Sequence, residues 1–361
     1  MNNRITELEI NNFKSIKHIK MDCKRINVLI GRPNTGKSNI LEALCLFEAP
    51  YYDSNKSFLK DYIRYEKLSN LFYDQDRKNQ ISVITNLGFA ALWYNSNVYR
   101  ITISPDEKVL ENIKKDGVFP LENDPGKYFR TNENQGMHRT ISTWHGIFND
   151  DIKLNGNFFD SSIAANPIKK YHFKTLTEHK NGFSYFLTPP YGENLYAILE
   201  GHPELWEECA GIFNNYGLDL LLDAEYEKIE VQKKIGRRVT KIPYSLAADT
   251  LQRFIFHLAA IDTNSDSVLL FEEPESHLFP PYIIRLAERI IENKSNQFFI
   301  ATHSSEVLMT FLEQSSWDEL AIFITDYSDY ETNIRQLNKD EMQSVLDDGI
   351  DLLFNLRAFQ E

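Results

Sequence analysis

Residues Gly31 to Ser38 read GRPNTGKS and fit the pattern G-x-x-x-x-G-K-[ST], and the residues on either side fit it as well. Ile26-Asn27-Val28-Leu29-Ile30 is an apolar run of the kind that forms a buried strand. Past Ser38, the residues Ile40, Leu41, Leu44 and Phe47 recur at helical spacing. The segment therefore reads strand, loop, helix, which commits the chain to an α/β fold. The loop needs glycines at Gly31 and Gly36 because backbone N–H groups must turn inward and approach phosphate oxygens closely. Lys37 offers a point charge for the β- and γ-phosphates, and Ser38 a hydroxyl for Mg²⁺. The helix N-terminus aims a partial positive charge at the same place.

A second stretch, far along the chain, completes the pattern. Val268-Leu269-Leu270-Phe271 is a short apolar strand followed at once by Glu272 and Glu273. Ligands of parallel sheets sit at the carboxyl ends of the strands. Glu272 is expected to hold magnesium, directly or through water. Glu273 is placed to orient or deprotonate an attacking water. A neighbouring apolar strand, Gln297-Phe298-Phe299-Ile300-Ala301, ends in Thr302-His303-Ser304-Ser305, so His303 stands where it could polarise a γ-phosphate. The expectation is ATP binding with Mg²⁺, followed by hydrolysis.

These pieces, in this order, resemble the ABC-type ATPases of the SMC, RecF and OLD (overcoming lysogenization defect) group. Asn12-Phe13-Lys14-Ser15 is similar to that group's N-terminal turn, and Asn34 to Leu44, with Asn34, Thr35 and Asn39, to its extended P-loop. Glu272-Glu273-Pro274-Glu275-Ser276-His277-Leu278-Phe279-Pro280 is similar to its acidic strand end and D-loop, and Thr302-His303-Ser304 to its switch histidine. The resemblance covers about the first fifty residues and most of the chain beyond Tyr226. It implies an ABC-type head with a central, mostly parallel sheet, and Glu273 and His303 as the catalytic pair. It also implies a head-to-tail homodimer, with each ATP between one subunit's P-loop and the other's signature segment. Tyr244 to Arg253 is the signature candidate, with Ser245 and Asp249 reaching the nucleotide. Three places differ from the usual pattern: Glu272 where Asp is commoner, Ala247 and Ala248 where a phosphate-cradling turn favours Gly, and Phe279 where relatives usually carry His. Gln75 and Gln80 are the candidates for a magnesium-sensing glutamine.

Composition bounds the rest. The chain has 361 residues, 42% of them hydrophobic, enough for a substantial core rather than a disordered chain. A net charge of −13 disfavours a surface coated for nucleic acid, while leaving room for a local basic stripe. Cys23, Cys45 and Cys209 are few and far apart, which points to reduced thiols and a cytoplasmic location. No run is long and apolar enough to span a bilayer, so no membrane partner is expected. His138 and His145 are read as ordinary surface or packing residues.

Three regions are expected. Residues 1–50 form the N-terminal half of the head, with antiparallel strands leading into the P-loop and Ala49-Pro50 closing its helix. Residues 51–223 form a globular insertion, mixed but largely helical, with turns at Asn123 to Gly126 and Pro189 to Gly192 and a helix along Leu205, Cys209, Ile212, Phe213 and Tyr216. Residues 224–361 form the second half. They open with a hairpin whose tip carries Lys233, Lys234, Arg237 and Arg238, and end in a short helix around Leu352 to Leu356. Proteins of this resemblance often serve as sensor or scaffold for a separate nuclease or toxin in antiphage defence. The other reading is a RecF- or SMC-like repair or recombination ATPase that binds DNA; a transporter subunit fits poorly because the insertion is too large.

Overall fold

The computed structural model describes residues 3–51, 57–95, 97–105, 144–148, 166–180 and 182–359. Among them the strands form three sheets. The central sheet has the order β15-β14-β3-β13-β12-β8. Its members are β3 (Ile26–Gly31), β8 (Ile168–Tyr171), β12 (Val268–Glu272), β13 (Gln297–Ala301), β14 (Leu320–Ser328) and β15 (Glu331–Gln336). All neighbours pair in parallel except β14 with β15.

The alternation along the central strands explains the layering. Leu269 and Phe271 of β12 pack into one core and Val268 and Leu270 into another; Val28 and Leu29 divide in the same way. A sheet buried on both faces has continuous apolar strands, and every residue of β3 and β13 is buried. One face is covered by helices α2 (Leu195–Gly201), α3 (Pro203–Asn214), α4 (Asp249–Thr263), α5 (Pro280–Glu292), α6 (Ser305–Gln314) and α7 (Lys339–Asp347). The other is covered by α1 (Lys37–Leu44) and by an antiparallel sheet. The antiparallel sheet runs β2-β1-β4-β5-β6-β7, from β1 (Glu7–Phe13), β2 (Ile16–Asp22), β4 (Ile81–Thr85), β5 (Gly88–Asn95), β6 (Val98–Ser104) and β7 (Trp144–Phe148). A third small sheet joins β9 (Asp219–Asp223), β10 (Lys228–Ile235) and β11 (Arg238–Pro243).

The described parts of residues 51–223 do not stand apart as an insertion. β1 pairs with β2 on one side and β4 on the other, so the N-terminal lobe is incomplete without residues 81–104. β8 adds an edge strand to the central sheet beside β12. Among the described residues of this region, the expected helical character is confined to α2 and α3 and short 3-10 turns, and much of the described remainder is strand. The boundary expected at Pro50 falls inside a continuous element: α1 runs on as a 3-10 segment, Cys45–Tyr51, with Pro50 inside it and buried residues through it. The C-terminal helix is also displaced. Leu352 to Phe354 form a turn, with a 3-10 segment at Leu356–Phe359, and the regular helix is α7. Asn338 caps α7: its side chain accepts from Glu341 N at 2.9 Å while its own N donates to Glu341 Oε2 at 2.9 Å. The turn at Asn123 to Gly126 and His138 lie outside the described residues, and of His145 only the backbone is described. The three cysteines are free thiols. Among the described residues no helix is long and apolar enough to cross a membrane.

Candidate nucleotide site

The loop after β3 is tightly constrained by the strands beside it. A Cβ added to Gly31 would lie 2.3 Å from Thr325 Oγ1, and one added to Gly36 2.2 Å from Thr332 Oγ1. Gly36, at φ 93°, also has a backbone that side-chain-bearing residues rarely adopt, and Asn34 takes a left-handed φ of 64°. Thr35 Oγ1 donates to Arg32 O at 2.9 Å and meets Thr325 Oγ1 at 2.6 Å. β14 and β15 thus hold the loop in shape from outside.

Lys37 follows as the first residue of α1 and is buried. Its ammonium donates to Gly31 O at 3.0 Å and Arg32 O at 2.8 Å. Burial pushes its pKa down to about 8, against the pull of Glu273 and Glu272. Asn39 Nδ2 donates to Ser15 Oγ at 2.7 Å, which ties the Asn12–Ser15 turn to the P-loop helix.

The opposite wall comes from the ends of β12 and β13. Ser38 Oγ donates to Glu272 Oε1. Arg64 Nη2 also donates to Oε1, at 2.9 Å, and Lys170 Nζ lies 3.3 Å from Oε2. Burial alone would raise the Glu272 pKa, but Lys170, Ser38 and Arg64 together hold it below the ordinary value. Glu273 has a left-handed φ of 45°, and its N donates to Ala301 O at 2.8 Å. Its carboxylate lies 3.8 Å from His303 Nε2 and accepts from Ser276 Oγ at 3.1 Å. Burial, and then the Lys37 charge, lower the His303 pKa, with Glu273 opposing. His303 is set in place by Glu275, whose Oε1 accepts from Thr302 Oγ1 at 2.6 Å and His303 N at 3.0 Å.

Asn34, Thr35, Gly36, Lys37, Ser38, Asn39, Glu272, Glu273 and His303 line one cavity of about 420 Å³. The donor set fits a phosphate and a hard cation: a cradle closed to any Cβ at Gly36, a lysine, and a serine hydroxyl directed to a carboxylate. Ser245 and Asp249 are not part of this cavity in the same chain. They sit at the start of α4, where Asp249 Oδ2 accepts from Arg253 Nε at 2.6 Å. Gln75 lines a different hollow with Glu66, Arg77 and Tyr99, and the Gln80 carbonyl accepts from Asn12 Nδ2 at 3.0 Å. Neither glutamine lines the nucleotide cavity; Arg64 does.

Arg64, Lys170, Glu42 and Lys14 are the site residues that motif reasoning passed over. Glu42 is fully buried, and it accepts from Arg64 Nε at 2.8 Å and from Lys14 Nζ. A charged residue on the inner face of the P-loop helix is a signal for a buried counter-charge. Nothing in the local sequence marks Arg64 or Lys170.

The family described as AAA ATPase domain matches residues 4–192. The one described as AAA domain, putative AbiEii toxin, Type IV TA system, matches residues 210–309. An ATP/GTP phosphatase of Helicobacter pylori is 36% identical over 341 residues, covering 84% of this chain and 86% of its own. Among solved structures, the SmcHead bound to the C-winged helix domain of ScpA is 16% identical over 94% of this chain and 99% of its own, at a TM-score of 0.49. The SMC head domain from Thermotoga maritima is 14% identical over 93% and 99%, at 0.40. With its first half spanned by that domain and a relative at this identity along most of its length, the chain belongs to the AAA ATPase-domain family of P-loop ATPases.

Proposed function

We propose that this chain binds ATP with Mg²⁺ and hydrolyses it, using Glu273 as the group that orients the attacking water. The observation that carries the reading is the meeting of Lys37, Ser38, Glu272, Glu273 and His303 around one cavity from three separate strand ends. Lys37 neutralises phosphate charge, and the loop amides and the α1 N-terminus share that work. Ser38 and Glu272 would hold the magnesium, which supplies charge neutralisation on the β- and γ-phosphate oxygens. Glu273 faces His303, so the water-orienting carboxylate and the γ-phosphate sensor are adjacent.

The proposal extends to a head-to-tail homodimer. Ser245 and Asp249 lie outside their own chain's cavity, at the α4 N-terminus beside exposed Leu246 (72%) and Phe279 (55%). Phe279 N donates to Thr250 Oγ1 at 3.0 Å, so the D-loop and the signature segment form one surface. Nucleotide-gated closure of that dimer, signalling to a separate effector such as a nuclease or toxin, is the use we favour; the description matched by residues 210–309 names a Type IV TA system, which supports a toxin-linked setting. The DNA-repair reading has one specific support, the exposed β10–β11 hairpin with Lys233, Lys234, Arg237 and Arg238.

Glu273→Gln tests the reading. We expect turnover to fall by about 10²-fold or more, the scale of a lost general base, with ATP binding retained. The same protein with Mg·ATP should sediment as a dimer. Unchanged turnover would remove Glu273 from its role. Duplex-DNA binding that needs ATP and weakens steeply with salt would favour repair; co-purification of a nuclease or toxin from the host would favour the effector reading.

A further inference from the structure

Glu272 is held by more than the P-loop serine. Its Oε1 accepts from Ser38 Oγ and from Arg64 Nη2 at 2.9 Å, and its Oε2 faces Lys170 Nζ at 3.3 Å. The Ser38 contact is compatible with a metal, because a hydroxyl can donate to a carboxylate and still offer a lone pair to a cation. The Arg64 contact is not. It occupies the acceptor that a metal ion, or a water on that ion, would use, and it places a permanent positive charge beside the cation.

The charge pattern sharpens the conflict. Two carboxylates, Glu42 and Glu272, already meet three cations, Lys14, Arg64 and Lys170. A divalent ion approaching Glu272 meets two cations already on that carboxylate, Arg64 and Lys170, and competes with them for it. The Lys14 and Lys170 side chains are 13% and 6% exposed, whereas Arg64 is 69% exposed. Arg64 also has somewhere to go. It borders both the nucleotide cavity and a second cavity of about 410 Å³, lined in part by Asp61, Tyr191 and Arg253.

Resting on the nucleotide reading above, we propose that Arg64 is a positioning residue that competes with magnesium for Glu272 and so sets the metal concentration at which the site loads. It holds Glu272 in register with Ser38 until the metal takes its place; the competition comes from its positive charge at Glu272, and its contact with Glu42 anchors the side chain there.

The test is a magnesium titration of fluorescent ADP-analogue binding by the full chain, wild type against Arg64→Gln and Arg64→Lys, with nucleotide affinity in EDTA measured alongside. Arg64→Gln should reach its midpoint at about three- to fivefold lower magnesium, the fold-change an exposed ion pair commands. Arg64→Lys, which keeps the charge, should lie nearer wild type. A midpoint unmoved or raised in Arg64→Gln overturns the inference, as does an equal shift in Arg64→Lys, which would mark a merely structural effect. Failure of the wild-type chain to bind nucleotide at any magnesium concentration would overturn the proposed function, and this inference with it.

Discussion

The two walls of the nucleotide cavity are built by opposite strategies. The P-loop wall is made from consecutive residues, Gly31 to Asn39, and braced by Thr325 and Thr332 on neighbouring strands. Its geometry follows from local backbone rules: a glycine where a Cβ would strike β15, a left-handed Asn34, a helix that begins at Lys37. The acidic wall, where Glu272 and Arg64 line the cavity, is backed by an ion network that adds Lys14, Glu42 and Lys170. Arg64 alone bridges residues 22 and 208 positions away. One wall is specified by what each residue does to its own backbone, the other by where the fold delivers distant charges. Changes to the first should abolish binding, and changes to the second should tune it.

Lys37→Ala is the severest way to sharpen that contrast. It removes the one ammonium in the loop and should cost about 100-fold in nucleotide affinity, the scale of two charge-assisted contacts. Equilibrium binding of a fluorescent ATP analogue reads it directly. An effect no larger than that of Arg64→Gln would erase the distinction between the walls.

Glu275 gives a smaller effect. It touches no expected substrate atom, yet its Oε1 takes both the Thr302 hydroxyl and the His303 amide. Glu275→Ala strands those two donors and should lower kcat about tenfold, within the 1–3 kcal/mol that unsatisfied buried groups cost. Glu275→Gln keeps the acceptor and should stay close to wild type. Equal loss in both variants would show that the carboxylate's charge, not its acceptor, is what the switch histidine needs.

What was legible in the sequence divides along the same line. β3, β12, β13, α1 and α3 could be read because apolar periodicity is a local signal. The P-loop and the Glu272–Glu273 pair could be read because their chemistry is contiguous. The membership of β4 to β6 in the N-terminal sheet could not, since nothing in residues 81–104 says that β1 has an open edge waiting for β4. Arg64 was invisible for the same reason: its meaning depends on Glu42 and Glu272, which only the fold brings together. Helix α7 is different. Its Asn338-x-x-Glu341 capping box is a local signal that was present and passed over.

Glu42 and Glu48 carry the comparison into the core and supply a prediction about stability rather than binding. Both are buried, six residues apart on α1 and its 3-10 extension. Glu42 backs the acidic wall and has Lys14 and Arg64 as partners. Glu48 has an Oε1 without a hydrogen-bond partner, and burial pushes its pKa up to about 8, only partly offset by Asn166 and Lys169. In the unfolded chain this carboxyl releases its proton near the ordinary 4.5. Between those two values the folded chain holds a proton that the unfolded chain has lost, so stability falls as pH rises across the window and levels off above it. Glu48→Gln keeps the shape and removes the titration. Its urea midpoint should match wild type near about pH 4.5 and exceed it near about pH 8, with the gap opening steadily between. Parallel curves would mean that Lys169 already neutralises Glu48 as fully as Lys14 and Arg64 neutralise Glu42, and the two buried glutamates would then be alike.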